Sequence, residues 1–180
     1  RGIYHFPSET SLLVYDDLQC SDLGNSVVNW GASPLNSYAM DTAADYSMGQ
    51  FVWTGFDYIG EPTPYNTKNS YFGIVDTAGF EKDSFWFYKS VWDIAYEKPF
   101  IHLSPCYWDF NEGQMIDIIA YSNLPVLKLR YGGKTYDSET LDHKSKGKLC
   151  AHFRVPYHKK LPIAVIGYYN ENCTNDNYAV

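Results

Sequence analysis

Gly49-Gln50-Phe51-Val52-Trp53-Thr54-Gly55-Phe56-Asp57-Tyr58-Ile59-Gly60-Glu61-Pro62-Thr63-Pro64-Tyr65 is the stretch that decides how the rest of the chain is read. Its opening, Gln50 to Thr54, is a β-branched and aromatic run of the kind that forms a short buried strand. Gly55 breaks the run, carboxylates follow at Asp57 and Glu61, and Pro62 and Pro64 stiffen the loop. A strand that ends on Trp and passes into a rigid polar loop is how an α/β barrel builds the rim of its site. A sugar ring has one apolar face and a polar perimeter, and this segment offers a partner for each. Trp53 supplies the flat apolar surface, and Asp57 and Glu61 accept hydrogen bonds from hydroxyls. The plain alternative is a core strand followed by a turn.

Upstream, Ser33-Pro34 opens a helix, because Ser caps well and Pro suits the first helical position. Ala39, Met40, Ala43, Ala44 and Tyr46 give it an apolar face over about three turns, and Gly49 ends it. Residues 1–32 carry little regular signal. Downstream, Tyr71 to Asp76 reads as a short strand or an extended connection. Asp83 caps a second helix whose buried face is Phe85, Tyr88, Val91 and Trp92. Lys82 stands just ahead of it, where the helix dipole disfavours a cation.

After Glu97-Lys98-Pro99 the character changes. Strands are expected at Phe100–Leu103, Met115–Tyr121, Val126–Tyr131, Leu149–Val155 and Ile163–Tyr169, with turn residues between them. Leu127, Leu129 and Tyr131 alternate with Lys128 and Arg130, the pattern of a half-buried strand. Five or six short strands at this spacing predict an immunoglobulin-like β-sandwich, with a last strand that is incomplete or formed by Asn175–Val180 alone.

Length and charge bound these readings. The 180 residues suit one domain or parts of two, whereas a complete (β/α)8 barrel needs about 250. With 45% hydrophobic and 18% aromatic residues the chain has the means to bury a core. A net charge of −7 argues against a nucleic-acid partner, whose phosphates call for a basic surface. No apolar run reaches the ~18 residues of a membrane span, so no membrane partner is expected.

The residue types of metal and thiol chemistry are scattered. Cys20, Cys106, Cys150 and Cys173 show no CxxC spacing and no His at zinc-finger distance, so no metal site is expected. Three disulfide pairings stay open, and partly buried free thiols fit the spacing better. His5, His102, His143, His152 and His158 lack ligand spacing. Cys150 and His152, two apart on one strand, are read as strand residues rather than as a Cys/His catalytic pair.

Phe51 to Tyr65 resembles the last barrel strand and following loop of glycoside hydrolase family 2, in its β-galactosidase branch. Thr67-Lys68-Asn69-Ser70-Tyr71-Phe72-Gly73-Ile74-Val75-Asp76 and Thr77-Ala78-Gly79-Phe80-Glu81-Lys82-Asp83-Ser84 extend the resemblance. Arg1-Gly2-Ile3-Tyr4-His5-Phe6-Pro7 is similar to the segment that follows that family's nucleophile motif. The match covers residues 1 to about 95 strongly and the remainder more weakly.

The resemblance implies a mixed α+β fold: residues 1–96 as the C-terminal remnant of the catalytic barrel, and 97–180 as the immunoglobulin-like sandwich. It implies a retaining glycosidase that needs no cofactor and works with two carboxyl groups about 5 Å apart. Both catalytic glutamates are then expected upstream of Arg1, and Glu9, which lies downstream of the motif, is a loop residue. Trp53 matches the rim tryptophan on which the family stacks a sugar. Asn66 and Lys68 form an Asn-x-Lys like the one the β-glucuronidase branch uses on a carboxylated sugar. The expected substrate-binding residues are therefore Trp53, Asp57, Glu61 and Lys68, and the expected partners are a carbohydrate and the remainder of the parent enzyme. An uncovered barrel edge and helix face also predict self-association of the isolated chain, or burial of the helix Asp83–Ala95 against the sandwich. The rival readings are a non-catalytic carbohydrate-binding module and a structural domain; burial of Trp53 would favour the latter.

Overall fold

A computed structural model of the chain describes residues 34–60, 69–70, 73–93, 98–104, 109–137, 139–143, 148–170, 172 and 177–179. It is a mixed α/β structure built mostly of strands. The chain divides into two compact units, Arg1–Tyr88 and Lys89–Val180.

In the first unit, helix α1 runs Pro34–Thr42, with Pro at its first position as its stiff φ favours. Its buried side chains are Pro34 and Tyr38, one turn apart, and Tyr38 meets Phe87 edge to face at 5.9 Å. The face expected from Met40 and Tyr46 is solvent-exposed. The helix stops at Thr42, whose hydroxyl donates back to the Tyr38 carbonyl (2.8 Å), so Tyr46 falls outside it, while Met40, two residues from Tyr38, lies on the side away from the buried pair.

Helix α2, Asp83–Trp92, has an Asp in its first turn and Lys89 in its last, as the dipole favours. Its buried stripe is Ser84, Phe87, Tyr88 and Val91, spaced i, i+3, i+4, i+7. Tyr88 and Val91 are buried as expected, whereas Phe85 is only half-buried and Trp92 is exposed, and Ser84 and Phe87 complete the face instead. Ser84 carries no hydrophobic signal, so the stripe's first position is not legible from apolar periodicity.

The buried strand expected at residues 50–54 does not form. Phe51 and Trp53 are exposed, and no described strand pairs with this run. A barrel strand is held by neighbours on both edges, and local sequence cannot supply them. Among the described residues of the stretch, Tyr58–Ile59 forms a strand, β1, which pairs antiparallel with β2 (Asn69–Ser70).

The second unit holds two antiparallel sheets. One has the order β3-β4-β8, from Ile101–Ser104, Met115–Ser122 and Ala151–Pro156. The other has the order β10-β9-β5-β6, from Asn177–Ala179, Ile163–Tyr168, Val126–Tyr131 and Lys134–Thr135, with β7 (Glu139–Thr140) also on β5. Each of the five longer strands lies within two residues of its place in the sequence reading. Register puts Ile116 opposite Val155 and Ile118 opposite Phe153 in the first sheet, and Leu129 opposite Val165 in the second. These residues share one hydrophobic cluster with Ile101, Leu124 and Leu127, so both sheets feed a single core. Gly167 lets that core close: a Cβ there would stand 2.4 Å from Leu124 Cδ1.

Asn123-Leu124-Pro125, between β4 and β5, is a largely buried crossover between the sheets. Its polar groups are satisfied, as burial requires. Asn123 accepts from the Phe100 N–H (3.2 Å) and donates to the Lys98 carbonyl (3.2 Å), while the Ser122 hydroxyl donates to the Phe100 carbonyl (2.6 Å). His143 Nε2–H donates to the Ser122 carbonyl at 2.8 Å, and burial holds this imidazole below its usual 6.5.

That burial has a sign. The unfolded chain takes up a proton at His143 near pH 6.5, whereas the folded chain resists it to lower pH. The contribution to stability is complete above that pH and is lost as pH falls towards the folded value. Denaturant midpoints measured from pH 7 to pH 5 should therefore decline, and His143→Gln should decline less steeply. Equal slopes would show that the site does not titrate this way.

Candidate functional site

Trp53 is 57% exposed and meets Tyr58 edge to face at a centroid distance of 6.4 Å. The peptide bond that follows it is cis. From there the backbone is tied to a second segment: Ile74 N–H donates to the Thr54 carbonyl (3.1 Å) and Val75 N–H to the Gly55 carbonyl (3.0 Å). Asp57 N–H returns a bond to the Val75 carbonyl at 2.9 Å, giving a parallel bridge between Phe56 and Val75. A third segment closes the knot, as Lys82 N–H donates to the Ile74 carbonyl at 3.0 Å.

Inside this knot lies a buried ion pair. Asp57 is 8% exposed, and its Oδ1 accepts from Lys82 Nζ at 2.8 Å and from Gly73 N–H at 2.7 Å. Removing one member of such a pair strands a buried charge, at a typical cost of about 3–5 kcal/mol. Gly73 is needed at its position because a Cβ there would lie 2.1 Å from the Asp57 nitrogen. Nearby, Asp76 accepts from the N–H groups of Phe80 (2.9 Å) and Ala78 (2.8 Å), which hold its carboxyl below the usual range.

Of the residues expected to touch substrate, Trp53 is at the surface and Asp57 is turned inward onto Lys82. Glu61 and Lys68 lie outside the described residues, as do Glu9 and the opening Arg1–Pro7. The structure thus joins Asp57 to a lysine that the sequence reading left aside. One signal was present: a lysine just ahead of a helix N-terminus, where the dipole disfavours it, calls for a compensating partner.

Elsewhere the chemistry is quiet. The Cys150 thiol is free, and burial pushes it up to about 11, opposite to the lowered value of a nucleophilic cysteine. His152 Nε2 lies 2.8 Å from Asp117 Oδ1 on the outer side of the sheet. Cys20, Cys106 and Cys173 lie outside the described residues. Among the described residues no group of three or more His, Cys, Asp or Glu is placed to hold a metal, and no helix is long and apolar enough to cross a membrane. An open groove of about 690 Å³ in the second unit is bordered by Glu112, His158 and Lys159. His158 Nδ1 lies 2.5 Å from Glu112 Oε1 and holds that carboxyl below its usual range, but so exposed a pair adds little stability.

No family model matches the chain. It is 41% identical over 134 residues to the β-galactosidase BoGH2A of Bacteroides ovatus, a match over 68% of this chain and 15% of that protein. It is 28% identical over 194 residues to a putative β-glucuronidase of Formosa agariphila, covering 97% of this chain and 18% of that protein. Among solved structures, a β-glycosidase from Bacteroides vulgatus superposes with a TM-score of 0.66 and 25% identity, over 86% of this chain and 19% of that one. A β-glucuronidase of Bacteroides uniformis gives a TM-score of 0.64 at 20% identity, over 83% of this chain and 20% of that one, and supports the fold alone. The chain spans less than a fifth of the length of these curated relatives. By sequence and by fold, the chain is a homologue of one segment of the larger glycoside hydrolases of family 2, and it is β-galactosidase-like.

Proposed function

We propose that this chain is the part of a retaining glycoside hydrolase that supplies one wall of its sugar site, in an enzyme that cleaves β-galactosides or related β-linked glycosides. The observation that carries this reading is the exposure of Trp53 on a segment whose following residues are locked by hydrogen bonds and a buried ion pair. An aromatic plate held still and open to solvent suits the apolar face of a sugar. Glu61 and Lys68, in the loop that follows, are proposed to meet the ring's polar edge. Asp57, inward on Lys82, is proposed to position the segment. Residues 1–96 belong, on this reading, to the end of the catalytic barrel, and residues 97–180 form an immunoglobulin-like sandwich.

The exposure of Phe51, Phe56 and Ile59 alongside Trp53 supports a surface that the rest of the enzyme covers. The acid/base and nucleophile carboxyls come from that remainder. The purified 180-residue chain should accordingly show no turnover of a nitrophenyl β-galactoside, while the intact enzyme turns it over. Hydrolysis by the chain alone, abolished by Glu61→Gln, would place the chemistry here and overturn the reading. The same exposed aromatics would also serve a free-standing carbohydrate-binding module. Retention of the isolated chain on an insoluble polysaccharide, with an inactive parent, would favour that instead.

A further inference from the structure

We propose that Lys82 is a positioning residue for the sugar-facing tryptophan: by neutralising the buried Asp57, it fixes the backbone that carries Trp53. The inference rests on the reading of Trp53 as the wall of a sugar site. Two routes join the lysine to that segment. The side-chain route runs from Lys82 Nζ to Asp57 Oδ1 (2.8 Å), four residues beyond the indole. The backbone route runs from Lys82 N–H to the Ile74 carbonyl (3.0 Å), and from Ile74 N–H to the carbonyl of Thr54 (3.1 Å), the residue next to Trp53.

The network has no spare room in which to relax. The same Asp57 oxygen also takes the Gly73 N–H at 2.7 Å, and the space above Gly73 is filled by the backbone of Phe56, Asp57 and Val75. A buried carboxylate that loses its cation either draws in water or takes up a proton. Either change alters what Oδ1 holds, and the 54–57 backbone moves with it. Reacting groups held for catalysis tolerate little such displacement, since about 1 Å of misplacement can cost on the order of 100-fold in rate.

In the intact enzyme, Lys82→Met should lower kcat/KM for a nitrophenyl β-galactoside by about tenfold or more. Lys82→Arg, which keeps the cation, should recover most of the loss. The deciding readout is a double-mutant cycle with Trp53→Ala. If Lys82 acts through Trp53, adding Lys82→Met to Trp53→Ala should change kcat/KM by less than about threefold. Full additivity, or a Lys82→Met enzyme that melts earlier but keeps wild-type kcat/KM per folded site, would overturn the proposal. Should Lys82→Met fail to fold, Asp57→Asn with Lys82→Met removes both charges, keeps an acceptor for Gly73, and carries the same expectations. If Trp53→Ala itself leaves kcat/KM intact, the sugar-wall reading falls and this proposal with it. If Trp53→Ala is impaired and the Lys82 variant is not, the positioning proposal alone falls.

Discussion

Trp53→Ala in the intact enzyme should lower kcat/KM for a β-galactoside by about 10- to 100-fold. The estimate follows from area: one face of a sugar covers roughly 100 Å², and at about 25 cal/mol per Å² its burial on an indole stabilises the complex by roughly 2.5 kcal/mol. Each ~1.4 kcal/mol is a factor of ten. In the isolated 180-residue chain the indole is open to solvent, so its removal there leaves no cavity of the kind that makes core truncations expensive. The melting temperature of the isolated chain should therefore change little. If the stacked face is bound equally in ground and transition states, the loss should appear mainly in KM. A large fall in stability with unchanged kinetics would mark Trp53 as packing only.

Among the described glycines of the first unit, Gly73→Ala should be the most damaging substitution. Its Cβ would lie 2.1 Å from Asp57 N, 2.3 Å from the Phe56 carbonyl carbon and 2.4 Å from the Val75 oxygen. All three are backbone atoms, so no side chain can swing aside. Overpacking a site that can adjust costs about 1–3 kcal/mol, and here the adjustment must also break the bond from Gly73 N–H to Asp57. A loss of roughly 3 kcal/mol or more, read by thermal or urea unfolding, is expected. Gly55→Ala is the control, because nothing lies within 4 Å of a Cβ there. Equal stability of the two variants would show that the 54–57 and 73–76 segments are not packed as described.

What the sequence disclosed follows from how local each signal is. Strands β5 and β8 are legible because alternation, as in Leu127-Lys128-Leu129-Arg130-Tyr131, records which face is buried, and β4 and β9 because they are short apolar runs between turn residues. Both helices are legible from their Pro34 and Asp83 starts; of the faces expected, Tyr88 and Val91 are buried, whereas Phe85, Trp92, Met40 and Tyr46 are not. Buried Ser84 and Ser90 carry no hydrophobic signal, and α1 ended before its assumed stripe was complete. The run at 50–54 has the composition of a strand, yet a strand exists only against neighbours. The Asp57–Lys82 pair was not legible because it joins residues 25 apart through a fold that has to form first. Asp57 read as an exposed acceptor for hydroxyls, and its burial converts it into an internal anchor. Trp53 is proposed for the site on the strength of one flat side chain, which is exposed in the structure.

The central claim is that Trp53 forms part of the sugar site of an intact glycoside hydrolase. Its most direct test is the structure of that enzyme with a galactose-shaped inhibitor bound. The indole plane should lie against the C–H face of the ring, with carbon–carbon contacts of about 4 Å. A sugar bound in the catalytic cleft with no contact to Trp53 would contradict it.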